Sequence, residues 1–349
     1  MASDVKREVG FGVVGLGMGR SHCKHIVTTE GARLIGVADL LEERGREAEQ
    51  QFGTRWYKDF RELLEQPGLD VVVVAVPSGL HAAIAIEAAQ AGKHVLCEKP
   101  LEVTVEKANQ IIDACRQHGV KLAVNFQNRF AGDMPTVKRA VEAGVLGRLY
   151  LGEARLKWFR TQEYYDQSGW RGTWKMDGGG ALMNQTVHTI DLLQWVCGRV
   201  RAVRGEAVAI GHQIETEDLG LAILTFENGA RGTILGTTAV YPNLGTWLEL
   251  HGERGSIVVK DNRVAFAGFK GVDDAQAYLA QFASQAPAHS IADLVAAVRE
   301  DREPSITGVD ARHAVEIIRA VYQSAQSGKV VTIDTEAGGD WSNAEPLAG

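Results

Sequence analysis

The chain has 349 residues and a mass of 37.8 kDa, which fits about two domains with ample surface to bury. It is 45% apolar and 23% charged, the balance of a folded globular protein and not of a disordered one. A net charge of −7 and a pI near 5.8 argue against nucleic acid or anionic membrane as the main partner, since both reward basic surfaces.

Along the first 125 residues, short apolar runs alternate with helix-period stretches. Strands are expected at Val9–Val14, Ala32–Ala38, Val71–Val76, His94–Cys97 and Lys121–Asn125. Helices are expected near 19–30, 40–52, 58–65, 80–91 and 104–118. An unbroken run such as Val71–Val76 belongs to a strand covered on both faces, hence to a parallel sheet with helices on each side. After about residue 150 the texture changes to alternating strands at 149–158, 200–211, 219–226, 230–239, 246–252 and 256–259, with helices at 181–196, 289–300 and 309–327. Asn228-Gly229 between two such runs is a hairpin signal. The expected class is α/β: an N-terminal doubly wound parallel sheet over 1–125, then an α+β domain over 126–349 with a large, mostly antiparallel, open-faced sheet. The Gly-, Ala- and acid-rich residues from Asp334 onward read as an extended arm.

Four scattered cysteines, Cys23, Cys97, Cys115 and Cys197, lack any metal-ligand spacing. They read as buried thiols of a cytoplasmic protein, with no disulfide framework. No apolar run reaches the ~20 residues that span a bilayer, and the N-terminus has no signal-peptide core. His22 and His25 lie three apart on a helix but no third ligand presents itself, so no metal site is expected. Glycine is over-represented, with 39 residues against about 24 from average usage.

Part of that excess sits in Gly15-Leu16-Gly17-Met18-Gly19-Arg20-Ser21-His22, which follows the first strand and opens a helix. Gly15 allows a tight turn, Gly17 lets the backbone approach a pyrophosphate, and the helix start offers free N–H groups and a positive dipole end. Arg20 stands where the third glycine of G-x-G-x-x-G would be. Asp39 ends the second strand, 22 residues after Gly17, where a carboxylate accepts both ribose hydroxyls and repels a 2′-phosphate. NAD is therefore favoured over NADP, although Arg44 lies nearby, and a helix N-cap is an alternative role for Asp39. Glu98-Lys99-Pro100 places two opposite charges at the carboxyl end of a buried strand, where ligands of such sheets bind. An ordinary salt bridge is the alternative there.

Asp177-Gly178-Gly179-Gly180 precedes an apolar helix on which Asn184, His188 and Asp191 fall at i, i+4 and i+7, on one stripe. Such a stripe reads as a lined pocket or as a buried structural network. Four of the seven tryptophans lie between 158 and 195, and the segments Trp158–Tyr165 and Gly169–Trp174 mix aromatics with arginines. Tyr164 and its neighbours there stack on sugar C–H surfaces or pack on the sheet. Gln127 follows the last strand of the first domain and is placed near its crevice.

Gly15–His22, Asp39, Pro77-Ser78-Gly79-Leu80-His81, Ala91–Pro100 and Gly178–Trp195 together resemble the Gfo/Idh/MocA oxidoreductases, the glucose–fructose oxidoreductase and inositol dehydrogenase family. The spacing is similar from about residue 8 to 333. The resemblance implies a Rossmann domain, then a substrate domain that packs into homodimers or homotetramers through its open sheet face. It implies that Lys99 is a catalytic-site lysine and that Pro77, Glu98 and His81 border the nucleotide. It places Trp170 and Arg171 against the nicotinamide half, His188 as general base and Asn184 as its neighbour. Lys99, Tyr164, Asn184 and His188 would hold the substrate. Oxidising a secondary alcohol asks for such parts: a base near neutral pKa for the hydroxyl proton, and a cation for the developing alkoxide. An amide at 184 orients an imidazole but cannot hold its proton by charge.

The expected activity is NAD(H)-dependent oxidation of a secondary hydroxyl on a sugar, sugar derivative or cyclic polyol. The same residues also serve a glycosidase or lyase that recycles NAD through transient C3 oxidation. A third alternative is a non-catalytic NAD or sugar sensor, against which the intact Lys99 and His188 speak.

Overall fold

A computed structural model describes residues 7–283 and 286–333. The expected C-terminal arm lies outside them. The chain divides into two compact units. The first runs up to Glu102, resumes at Lys107–Phe126 and includes Pro287–Ala311; the second comprises Val103–Glu106, Gln127–Ala286 and the chain from Arg312 on.

The first unit is built on β1 (Val9–Val14), β2 (Ala32–Ala38), β3 (Arg55–Tyr57), β4 (Val71–Val74), β5 (His94–Cys97) and β6 (Leu122–Val124), all pairing in parallel. Their order is β3-β2-β1-β4-β5-β6, the doubly wound arrangement. The connecting helices are α1 (Gly19–Thr28), α2 (Glu42–Phe52), α3 (Phe60–Leu64), α4 (His81–Gln90) and α5 (Val105–Gln117). Every residue of β1 and β4 is buried, as continuous apolar runs require when both faces are covered. β4 stops at Val74, two residues short of the expected end, and β3 escapes a pattern search because three residues are too few to show alternation.

The second unit carries β7 (Leu149–Lys157), β8 (Val200–Val208), β9 (Leu219–Phe226), β10 (Arg231–Thr237), β11 (Gly245–Gly252), β12 (Gly255–Lys260) and β13 (Arg263–Phe269). Its helices are α6 (Met134–Glu142), α7 (Gln162–Asp166), α8 (Val187–Cys197) and α9 (Ala275–Ala280). The chain continues with α10 (Ser290–Glu300), α11 (Gly308–Ser327) and β14 (Val331–Thr332). The sheet order is β13-β12-β11-β7-β10-β9-β8-β14, antiparallel except where β7 meets β10. Asn228-Gly229 turns β9 into β10 as the sequence indicates. β13 was not expected, because Asp261 and Asn262 make its hairpin turn with positive φ and no glycine marks the place. β8 ends at Val208 and not at 211, since the buried Asp218 carboxylate draws the Ile210 and Gly211 N–H groups out of the ladder.

A simple cut between 125 and 126 misses one feature. α10 buries Ile291, Leu294, Val295 and Ala297 in the same core as Val9, Phe11, Val71 and Leu96. A helix-period stripe reveals an apolar face but not which sheet it covers. The four cysteines are buried free thiols, and no helix among the described residues is long and apolar enough to cross a membrane.

One face of the second sheet is covered by α8, which packs on β7 and β11. That helix is anchored from below. Arg129 donates through Nε and an Nη to the two oxygens of Asp191 at 2.7 and 2.6 Å, both side chains being buried. Asp191 thus belongs to a packed ion pair and not to a pocket-lining stripe with Asn184 and His188. Removing one partner of a buried pair strands the other charge, which costs about 3–5 kcal/mol. Asp191→Ala is expected to lose that much in urea unfolding, followed through tryptophan fluorescence because Trp195 lies 5.2 Å from the Arg129 guanidinium. A loss within about 1 kcal/mol would show that the pair does not anchor the helix.

Candidate active site

In the first unit the carboxyl ends of β1 and β4 flank the point where strand order reverses, the usual ligand crevice of such sheets. β1 is followed by Gly15, whose φ of +91° and 2.5 Å approach to the Ala75 carbonyl, measured from an added Cβ, require glycine. Leu16 is buried, while Gly17 is exposed with open space where a Cβ would stand. α1 then starts at Gly19, behind an exposed Met18, with no side-chain cap and no acid in its first turn. An uncapped helix start beside bare backbone fits an anionic pyrophosphate.

Asp39 lies beside this turn. Its Oδ2 accepts the Leu16 N–H at 2.7 Å and its Oδ1 the Leu41 N–H at 2.8 Å. It is not a helix cap, since Leu41 occupies that position of α2. Each carboxylate oxygen keeps a second lone pair, so ribose hydroxyls can still be accepted. Arg44 is exposed on α2. These residues fit NAD, and the dinucleotide would be held by Gly15–Gly19 and Asp39.

Glu98 is buried at the end of β5. Its Oε1 receives His22 Nε2 at 2.6 Å and the Asn125 amide at 2.8 Å, and its Oε2 the Lys99 N–H at 3.1 Å. Burial alone pushes this carboxyl up, but His22, Lys99 and Asn125 outweigh it and hold it at about 2. Glu98 is therefore an ionised brace that fixes the backbone of Lys99. Lys99 itself is half-buried. His81 has Nδ1 3.0 Å from the Pro100 carbonyl and Nε2 3.0 Å from that of Val76. The ring ties the strand end after β4, where Pro77 leads into a short turn, to the Lys99-Pro100 segment. His22 is engaged by Glu98, and His25 stacks on His289 at 4.5 Å.

In the second unit the expected helix at 181–196 opens as a π turn over Ala181–Thr186, closed by Thr186 Oγ1 on the Ala181 carbonyl at 2.7 Å. A buried acid organises this entry. Glu217 accepts the Gly180 N–H at 3.0 Å, the Leu182 N–H at 2.8 Å and the Tyr322 hydroxyl at 2.9 Å. A Cβ on Gly179 would stand 2.1 Å from the Tyr322 hydroxyl, and one on Gly180 1.8 Å from the Glu217 carbonyl. Close approach of the protein itself explains these glycines. Burial pushes the Glu217 carboxyl up to about 7, although its donors pull the other way.

From this entry a hydrogen-bonded row runs outward. The Asn184 amide nitrogen donates to Asp177 Oδ1 at 2.5 Å, and Asn184 Oδ1 accepts the Gln185 amide at 3.0 Å. The same Gln185 amide donates to the Tyr164 hydroxyl at 3.0 Å. The Asn184 amide is thus fixed in one orientation, with a carboxylate behind it. His188 lies half-buried one turn further along α8. Arg171 stacks 4.2 Å over the Tyr164 ring and 5.5 Å over that of Trp170. Gln127 is exposed at the start of the turn Gln127–Phe130. Asp177, Gln185, Glu217 and Tyr322 were not singled out from the sequence. Asp177 and Gln185 flank the motif residues, but Glu217 and Tyr322 reach the helix entry from far along the chain and leave no local signal.

The profile described as "Oxidoreductase family, NAD-binding Rossmann fold" matches residues 9–126, and that of the "GFO/IDH/MocA C-terminal domain" matches residues 134–258. The inositol 2-dehydrogenase of Rubrobacter xylanophilus is 30% identical over 295 residues, 81% of this chain and 80% of that protein. The chain belongs to the Gfo/Idh/MocA oxidoreductases. It is likewise similar to the scyllo-inositol 2-dehydrogenase (NAD(+)) of Bacillus subtilis, at 26% identity over 95% of this chain and 98% of that one. Among solved structures, the WlbA dehydrogenase from Bordetella pertussis in complex with NADH and UDP-GlcNAcA matches with a TM-score of 0.87 and 34% identity, covering 94% of this chain and 98% of that one. Levoglucosan dehydrogenase in complex with NADH and L-sorbose matches with a TM-score of 0.82 and 26% identity over 94% and 99%. This Gfo/Idh/MocA chain is an oxidoreductase with an NAD-binding Rossmann domain.

Two outcomes follow from the Glu217 clamp. Gly180→Ala drives a methyl into the Glu217 carbonyl and is expected to destabilise the second unit by about 3 kcal/mol, read by thermal unfolding; a neutral substitution would contradict the clamp. A carboxyl whose folded pKa is raised keeps a proton that the unfolded chain has lost, so stability falls as pH rises from the unfolded value near 4.5 to about 7. Melting temperatures across that window should lose part of their slope in Glu217→Gln, and parallel curves would refute the assignment.

Proposed function

We propose that the chain is an NAD(H)-dependent dehydrogenase that oxidises a secondary hydroxyl of a sugar, sugar derivative or cyclic polyol. The observation that carries this reading is the fixed row Asp177–Asn184–Gln185–Tyr164 at the entry to the helix that bears His188, in a chain with an NAD-binding unit. Relatives named for inositol and levoglucosan, and a structural neighbour complexed with UDP-GlcNAcA, support a polyhydroxylated substrate.

NAD, when bound, accepts the hydride. His188 takes the hydroxyl proton, for which an imidazole is suited near neutral pH. Lys99, its backbone held by Glu98, is assigned to stabilising developing alkoxide charge. Asn184 orients the site: its carbonyl is bound to Gln185 and its amide to Asp177, so its amide cannot flip without losing both bonds. Arg171 lies over the rings of Tyr164 and Trp170; Trp170 and Arg171 are assigned to the nicotinamide half of the cofactor, with Tyr164 on the sugar.

Among the described residues, Leu221, Ile223 and Phe266 stand exposed on the second sheet. An apolar patch of that kind supports association of copies into a homodimer or homotetramer. Four buried free thiols support a reducing, cytoplasmic setting.

Lys99→Met and His188→Ala are each expected to lower turnover by about 10²-fold or more while NADH still binds, as followed by quenching of protein fluorescence. Turnover close to wild type in either variant, on any sugar or polyol that the protein oxidises, would remove that residue from the chemistry.

A further inference from the structure

Several shielded arginines of the second unit are matched by an acid, whereas among the described residues Arg160, like Arg171 and Arg199, is not. Arg129 is matched by Asp191, Arg155 by Glu249 and Arg312 by Glu316. Arg160 is half-buried, and among the described residues no carboxylate lies within 4.0 Å of it. Its hydrogen bonds go to neutral acceptors, the Phe159 carbonyl at 3.0 Å and Gln185 Oε1 at 3.4 Å, the second at the long limit of such a bond. Three of the five N–H donors of a guanidinium are thus uncommitted.

The group is also firmly positioned. Its ring neighbours are Trp158 at 4.9 Å and Tyr164 at 5.2 Å from the guanidinium carbon. Its backbone N–H donates to the Thr238 carbonyl at 2.8 Å, and its carbonyl lies 2.8 Å from His212 Nε2. His212 is in turn held through Nδ1, 2.8 Å from the buried Asp218 carboxylate. A buried acid, an imidazole and two aromatic rings therefore fix a cation that has no counter-charge of its own. Through Gln185 that cation joins the row that contains Asn184 and Tyr164.

We propose that Arg160 is the specificity residue of the substrate site and that the sugar it selects carries a carboxylate, a proposal that rests on the dehydrogenase reading of that site. Partial burial of a cation is costly unless an anion completes it, and a planar guanidinium fork matches a carboxylate with two parallel bonds. The same fork also matches a phosphate, so a sugar phosphate is the competing ligand in the test.

The test uses the NADH-loaded protein and matched pairs of ligands: a hexose and its hexuronate, the methyl glycosides of both, and the nucleotide-linked forms of both, with hexose 6-phosphate as a separate arm. Calorimetric titration should give, in at least one pair, about tenfold or tighter binding of the acid. Arg160→Gln should bring that acid-to-neutral ratio to within about twofold, and Arg160→Lys, which keeps the charge but not the fork, should fall between. Absence of any acid preference, its survival in Arg160→Gln and Arg160→Lys, or stronger binding of the 6-phosphate than of every uronate would each overturn the proposal. NAD reduction on the same panel separates the two readings. Arg160-dependent acid binding without turnover would sink the dehydrogenase assignment and leave the carboxylate site, whereas turnover of neutral polyols with no acid preference would do the reverse.

Discussion

The second unit depends on one buried carboxyl. Glu217 has no solvent exposure, yet it gathers the N–H groups of Gly180 and Leu182 and the hydroxyl of Tyr322. An acid in such a place is costly unless donors converge on it, and here the donors are the first free amides of a helix, where the dipole also favours negative charge. The position of Glu217 decides where the π turn begins. The start of that turn decides the direction of Asn184 and Gln185, and through α8 that of His188. The Arg129–Asp191 pair sets the same helix from the opposite side.

The first unit reaches a comparable solution with a different residue. Asp39, at the end of β2, takes the Leu16 N–H within the glycine turn and the Leu41 N–H at the entry to α2. In both units a carboxylate contributed by another strand or loop holds glycine-rich backbone at a helix entry, and neither helix carries a side-chain cap of its own. In the first unit, holding backbone from outside leaves the turn itself bare at Gly17. Bare backbone is what a ligand needs if it is to approach amides closely.

What could be read from the sequence follows from the range of each interaction. The fully buried runs of β1 and β4, the Asn228-Gly229 hairpin and the glycine turn are local patterns, and each was legible. α10 was legible as a helix, but its place against β1 and β4 is a contact across nearly 300 residues of chain, which periodicity does not encode. The i, i+4, i+7 stripe misled in part. It assumes a regular α-helix, whereas Asn184 sits in a π turn and Asp191 turns inward to Arg129. Glu98 reads as a cofactor-border residue, and its carboxylate also accepts from His22, Asn125 and the Lys99 amide, contacts across the chain that no local pattern shows.

The glycine excess divides along the same physical lines. Gly15 needs its left-handed φ, and Gly179 and Gly180 are crowded by Tyr322 and Glu217. For these the protein's own geometry is sufficient reason. Gly17 is different: its φ is not left-handed, and a Cβ there meets nothing within 4 Å. Neither strain nor packing within the chain asks for glycine at that position. An alanine methyl there would meet no other part of the chain. The demand for glycine therefore comes from outside the polypeptide, from a group that must come nearer to the backbone than a methyl would permit, as the pyrophosphate of a dinucleotide does.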